Sequence, residues 1–138
     1  MRDILHARNI FDTGEYSCVL FKNGTAYTST LKGVAPLVNW LNEGLDIQGF
    51  SAADKIVGKA AAMLFVLGKI REIYAPVMSE SALHLLTKNG IYASCNTLVP
   101  MIINRAGTGQ CPMENAVAEV EDPAEALAVL NRTLKRCV

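Results

Sequence analysis

Two short runs of alternating character, SCVLFK and TAYTST, flank the dipeptide Asn23-Gly24, and no other feature constrains the fold as strongly. Both residues tolerate the positive φ that a two-residue reverse turn requires, so the pair predicts a tight β-hairpin. A hairpin brings antiparallel pairing with it, and the rest of the chain must supply a sheet for it to join.

The remaining periodicity is mostly helical. Apolar Ile4, Leu5, Ala7, Ile10 and Phe11 predict an amphipathic helix over residues 2–11 ending near Gly14. Leu37, Val38, Trp40 and Leu41 form the face of a second helix, with Pro36 in its first turn and Gly44 as its stop. In SAADKIVGKAAAMLFVLG, Ser51 and Asp54 read as a capping box, and the helix expected from Ile56 to Leu67 is apolar nearly all round. Such a helix is buried on more than one face. EIYAPV reads as a short interior strand bounded by Pro76. SESALHLLTKNG follows as a helix capped by Ser79 and stopped at Asn89-Gly90, and IYASCNTLV as another strand. The glycine-bearing stretch PMIINRAGTGQCP predicts an irregular loop, and PMENAVAEV a short helix. The last helix, residues 123–135, has Asp122, Pro123 and Glu125 at its cap, first and third positions. A hairpin followed by alternating helices and strands implies one α/β domain over residues 1–138, a three-layer α-β-α sandwich around a mixed sheet.

Composition removes several functional classes. Thirteen basic residues balance thirteen acidic ones without a basic cluster, so nucleic-acid backbone binding is not expected. The longest apolar stretch, AAAMLFVLG, is about half of what a bilayer requires, so no membrane partner is expected. Cys18, Cys95, Cys111 and Cys137 lack metal-knuckle spacing, and neither His6 nor His84 has a partner at ligand spacing. The start MRDILHARNIFDTGE has no apolar leader run, which points to the cytosol and free thiols. Cys18 and Cys95 read as core, and Cys137 as a tail thiol.

Four separated words, KGVAPLVNWL, ADKIVGKAAAML, YAPVMSESAL and IINRAGTGQCPME, together with the hairpin, resemble an uncharacterised family with a cytidine-deaminase-like fold. The resemblance covers most of the chain from about Ser17 to Glu114 and implies that fold. True deaminases place a His or Cys and a catalytic Glu at one helix start, and Pro-Cys-x-x-Cys at the next. Zinc held there generates hydroxide while the Glu moves protons. Here the first position reads Ala53-Asp54-Lys55 and the second Pro76-Val77-Met78-Ser79-Glu80. Val77 and Glu80 stand where ligand cysteines would be, so neither a zinc site nor another cofactor is expected. By analogy with deaminase-like domains, the resemblance also implies a homo-oligomer.

Three polar groups of residues are expected to converge where such a fold keeps its pocket. Lys55 and Lys59, four apart on one expected helix face beside Asp54, could hold an anion or act in proton transfer; the bland alternative is surface lysines paired with Asp54 and Glu80. Ser79 and Glu80 open the next helix, where N–H groups favour an anion, or simply cap it. Asn104, Arg105, Cys111 and Glu114 surround the glycine-bearing loop: Arg105 suits a carboxylate or phosphate, and Cys111, ahead of Pro112, is the best-placed nucleophile of the four cysteines. The leading expectation is a zinc-free domain binding a small polar or anionic, nucleotide-like molecule. The alternatives are a cysteine-dependent enzyme or sulfur carrier using Cys111 with Asp54 or Glu80, and a non-catalytic interaction module whose ancestral site has decayed.

Overall fold

In a computed structural model, which describes residues 2–104 and 106–136, the hairpin forms as expected. Strand β1 (Cys18–Lys22) pairs antiparallel with β2 (Thr25–Ser29), and the turn between them holds Asn23 at φ 48° and Gly24 at φ 83°. Helix α1 (Asp3–Thr13) precedes the hairpin and α2 (Ala35–Asn42) follows it.

The next segment departs from the sequence reading. Ser51–Asp54 is a strand, β3, rather than a helix cap, and Ile56–Val57 continues it as β4 after a break at Lys55. Helix α3 begins only at Lys59 and runs to Gly68. The Ser-x-x-Asp spacing mimics a capping box, but β3 is committed by pairing with strands on both sides. It lies antiparallel to β1 and parallel to β5 (Glu72–Ser79), and all four of its residues are buried. Such pairing outweighs a local helix signal of about 1 kcal/mol. The apolar run from Ala60 to Phe65 is buried throughout, as the all-round pattern required.

Strand β5 extends beyond Pro76, and β6 (Tyr92–Val99) pairs parallel to it along most of its length. Because β6 takes one side of β5, β3 and β4 must share the other: Ile56 lies beside Val77 and Val57 beside Met78. The result is a mixed six-stranded sheet, open along β2 at one edge and β6 at the other. Helix α4 (Glu80–Lys88) connects β5 to β6, and α5 (Pro112–Val117) and α6 (Pro123–Arg136) close the chain.

Helices cover both faces. Ile4 and Ala7 of α1 pack with Val19, Ala53 and Tyr74 on one side of the sheet. The alternate residues Leu20, Ala52, Ile73 and Ala75 face the opposite way, into a larger core with Leu64, Phe65, Leu86 and Leu130. Among the described residues, no helix is long and apolar enough to cross a membrane.

Candidate functional site

The expected site residues gather unevenly around the carboxyl ends of β3, β4 and β5, the side on which open α/β sheets usually bind ligands. Asp54 ends β3 with its residue only 5% exposed. Its partner across the sheet is Cys18, on the same face, itself 1% exposed. Burial raises the Asp54 carboxyl to about 8, and the backbone N–H of Lys55 pulls it back only in part. The Cys18 thiol is pushed well up as well, first by burial and then by the Asp54 charge. This pair is a protonated acid beside a protonated thiol near neutral pH, in the reverse of the state that activates a nucleophile. The cysteine adjacent to Asp54 is thus Cys18, which the sequence offered as core.

Lys55 and Lys59 do not share a helix face. Lys55 is exposed at the break between β3 and β4; its N–H donates to the Ser17 carbonyl at 3.2 Å and its carbonyl accepts from the Val77 N–H at 3.4 Å. Lys59 is the first residue of α3, and its Nζ donates to the Ala118 carbonyl at 3.0 Å. Neither lysine pairs with Asp54 or Glu80; the ion pair among the described residues joins Arg2 to Glu72 at the other end of β5.

Glu114 is the most informative member of the group. Expected as a ligand-binding side chain, it is 5% exposed and already engaged. Its Oε1 accepts the Lys59 N–H at 2.6 Å and its Oε2 the Ala60 N–H at 2.8 Å. A helix start leaves four N–H groups without partners, and this carboxyl satisfies two of them from a different element. Gly58, at the cap position of α3, makes the approach possible: a Cβ there would fall on Oε1 of Glu114 and against Ile102. The Glu114 and Lys59 contacts together fasten α5 and the turn after it onto the start of α3.

Ser79 caps α4 as expected, accepting the Ala82 N–H at 3.2 Å, while Glu80 lies exposed beyond it. Asn104 is absorbed by its own loop: Oδ1 accepts the Thr108 N–H at 3.0 Å and Nδ2 donates to Thr108 Oγ1 at 3.1 Å. Cys111 is a free, half-buried thiol at the start of α5 whose backbone N–H donates to the Ile102 carbonyl at 2.9 Å. Arg105, expected as an anion clamp, lies outside the described residues, as does Cys137. Among the described residues, no three His, Cys, Asp or Glu side chains come together as a metal-holding group.

The hollow at this end of the sheet is apolar. A groove of about 210 Å³ is lined by Ile56, Val77, Val99, Met101, Ile102 and Ile103. Its signal in the sequence is the run Met101-Ile102-Ile103, three apolar residues together in a segment expected to be an irregular loop. A larger hollow of about 340 Å³ lies at the opposite ends of α3 and α4, lined by Val66, Lys69, Ile70, Asn89, Gly90 and Ile91, away from every predicted site residue.

A mixed sheet with helices on both faces and a self-capped helix start defines an α/β protein, and comparison with known families places it further. Residues 6–134 match the family model described as TM1506, a domain of unknown function (DUF1893), and the chain belongs to that family. Among solved structures it is similar to the crystal structure of a DUF1893 family protein, TM1506, from Thermotoga maritima. The two share 28% sequence identity with a TM-score of 0.86, over 96% of this chain and 90% of that one. No curated protein matches.

Proposed function

We propose that this chain is a non-hydrolytic binding domain built on a cytidine-deaminase-like plan. The observation that carries the reading is the seating of Glu114 on the first two N–H groups of α3. On that plan the metal-holding residues stand in the first turns of the two helices that follow the central strands. With Ser51–Asp54 a strand and α3 starting at Lys59, the first of those turns is Gly58-Lys59-Ala60 rather than the Ala53-Asp54-Lys55 expected from the sequence, and the second is Ser79-Glu80-Ser81. Together they offer no tetrahedral set of sulfur and nitrogen donors. The chain's own Glu114 carboxyl caps the first of these turns, which supports the reading. The three described cysteines are free thiols, which suits the reducing compartment expected from the sequence.

The test is direct. Purified protein is dialysed against zinc, washed, assayed for bound metal, and incubated with cytidine, deoxycytidine and adenosine. The expected result is no retained zinc and no ammonia above buffer. Zinc-dependent ammonia release that disappears in Glu114→Ala would overturn the proposal.

A second reading, a small anionic ligand, is favoured by one observation: Lys55 is exposed at the strand break with no carboxylate partner among the described residues. A thermal shift with phosphate or a nucleotide that vanishes in Lys55→Ala supports it, and a shift that survives this change excludes Lys55 from the site.

A further inference from the structure

We propose that β6 pairs antiparallel with β6 of a second copy of this chain, extending two six-stranded sheets into one. This stands apart from the binding-domain reading, since a catalytic domain could associate in the same way. Strand β6 is an edge: its only ladder among the described residues is to β5. It is eight residues long and reads YASCNTLV, without a charge or a proline. Monomeric proteins guard such an edge with lysine, proline, a bulge or a short strand, because its unpaired N–H and C=O groups are a template for another strand. The opposite edge, β2, is five residues long and exposes no large apolar side chain. On β6, by contrast, Tyr92 is 70% and Leu98 45% exposed.

The strand's hydrogen-bond phase fixes how a partner would lie. The Tyr92 N–H donates to the Arg71 carbonyl, on the β5 side. Alternate residues of a parallel strand face alternate sides, so Ala93, Cys95, Thr97 and Val99 present their N–H and C=O groups outward. Two such strands related by a two-fold axis must match outward residue to outward residue. Centring the axis at Asn96 sets Cys95 opposite Thr97 and Ala93 opposite Val99 of the partner, using every outward group in about eight main-chain hydrogen bonds.

Surface area and charge agree with this occupant. Val99 lines the apolar groove, where Met101 (45%) and Ile103 (50%) are exposed, and the neighbouring Leu98 is exposed on the other face of the strand. Tyr92, Leu98, Met101 and Ile103 offer roughly 400 Å² per copy; with the strand backbone this reaches the low end, about 1,200 Å² in total, of a specific interface. The formal net charge of zero sets no repulsion against self-association.

Sedimentation velocity from about 5 to 200 μM tests the proposal on the whole chain, in wild type and in two variants. Thr97→Pro deletes one outward N–H without touching the β5 ladder, and Leu98→Lys places a charge on an exposed position. Wild type is expected to sediment as a dimer. Leu98→Lys, whose substituted side chain is already exposed, is expected to be monomeric with an unchanged circular dichroism spectrum, and Thr97→Pro to weaken the dimer at least tenfold. A wild type that stays monomeric over the whole range, or an assembly equally tight in a folded Leu98→Lys variant, would overturn the proposal.

Discussion

Replacing Asp54 by asparagine separates the burial of this side chain from its charge. The folded carboxyl titrates at about 8 against 3.8 for the same group in a solvated chain. Below pH 3.8 both states hold the proton and the group adds no pH dependence to stability. Between 3.8 and about 8 the unfolded chain has released its proton while the folded chain keeps it, so stability falls as pH rises. The slope is about 1.4 kcal/mol per pH unit, and from pH 5 to pH 7 it amounts to about 3 kcal/mol. Asparagine has the shape of the protonated acid and no such titration. The Cys18 thiol, held higher still, stays protonated throughout this window. Urea unfolding followed by circular dichroism at pH 5, 6 and 7 therefore gives a stability difference, Asp54→Asn minus wild type, that climbs by about 3 kcal/mol over the range. Other titrating groups are common to both proteins and cancel. A difference that stays flat within about 0.5 kcal/mol would refute the argument, since it would mean that Asp54 reaches water or a charge partner in the folded protein.

Two further outcomes follow from backbone geometry. Gly58→Ala and Glu114→Ala should each cost about 2 kcal/mol in urea melts, one by pushing the carboxyl away and the other by removing it. Because both act on one contact, the double variant should cost at least about 1 kcal/mol less than the two singles together, and strict additivity would contradict the geometry. Lys69 ends α3 in the left-handed region at φ 59°, ψ 45°, so Lys69→Gly should raise stability by about 1 kcal/mol, seen as a melting temperature roughly 4 °C higher.

The parts of the fold that were legible in the sequence are those decided within a few residues. The Asn23-Gly24 turn needs only two residues that accept positive φ, and both take it up. Ser79 finds its N–H three residues on, and Asp122 Oδ1 accepts the Ala124 N–H at 3.1 Å behind Pro123. Strand β3 was misread because its evidence is distant. Ser51, Ala52, Ala53 and Asp54 include no β-branched or aromatic residue, and the helical run of Ala60–Phe65 follows closely. Small residues suit this strand because Ala53 packs under α1 and Ala52 under the opposite core, both fully buried. The exposure of β6 was illegible for the same reason: its apolar alternation does not reveal that a neighbour is missing on one side.

The charged residues that looked like one reassigned site divide, on the structure, into separate duties. Asp54 is buried at neutral pH as an acid, Lys55 and Glu80 face solvent, and Glu114 is an internal ligand of α3. The division matters because Gly58 and Glu114 fit each other. A serine or aspartate at position 58 would cap α3 with its own side chain, the common solution for a helix start. Glycine gives up that oxygen and leaves room for a carboxyl arriving from 56 residues further along the sequence. Simple erosion of a binding site calls for no such matched pair. The start of α3 is therefore a closed joint that positions α5 and the segment before it, and the same segment walls in the apolar groove with Met101, Ile102 and Ile103.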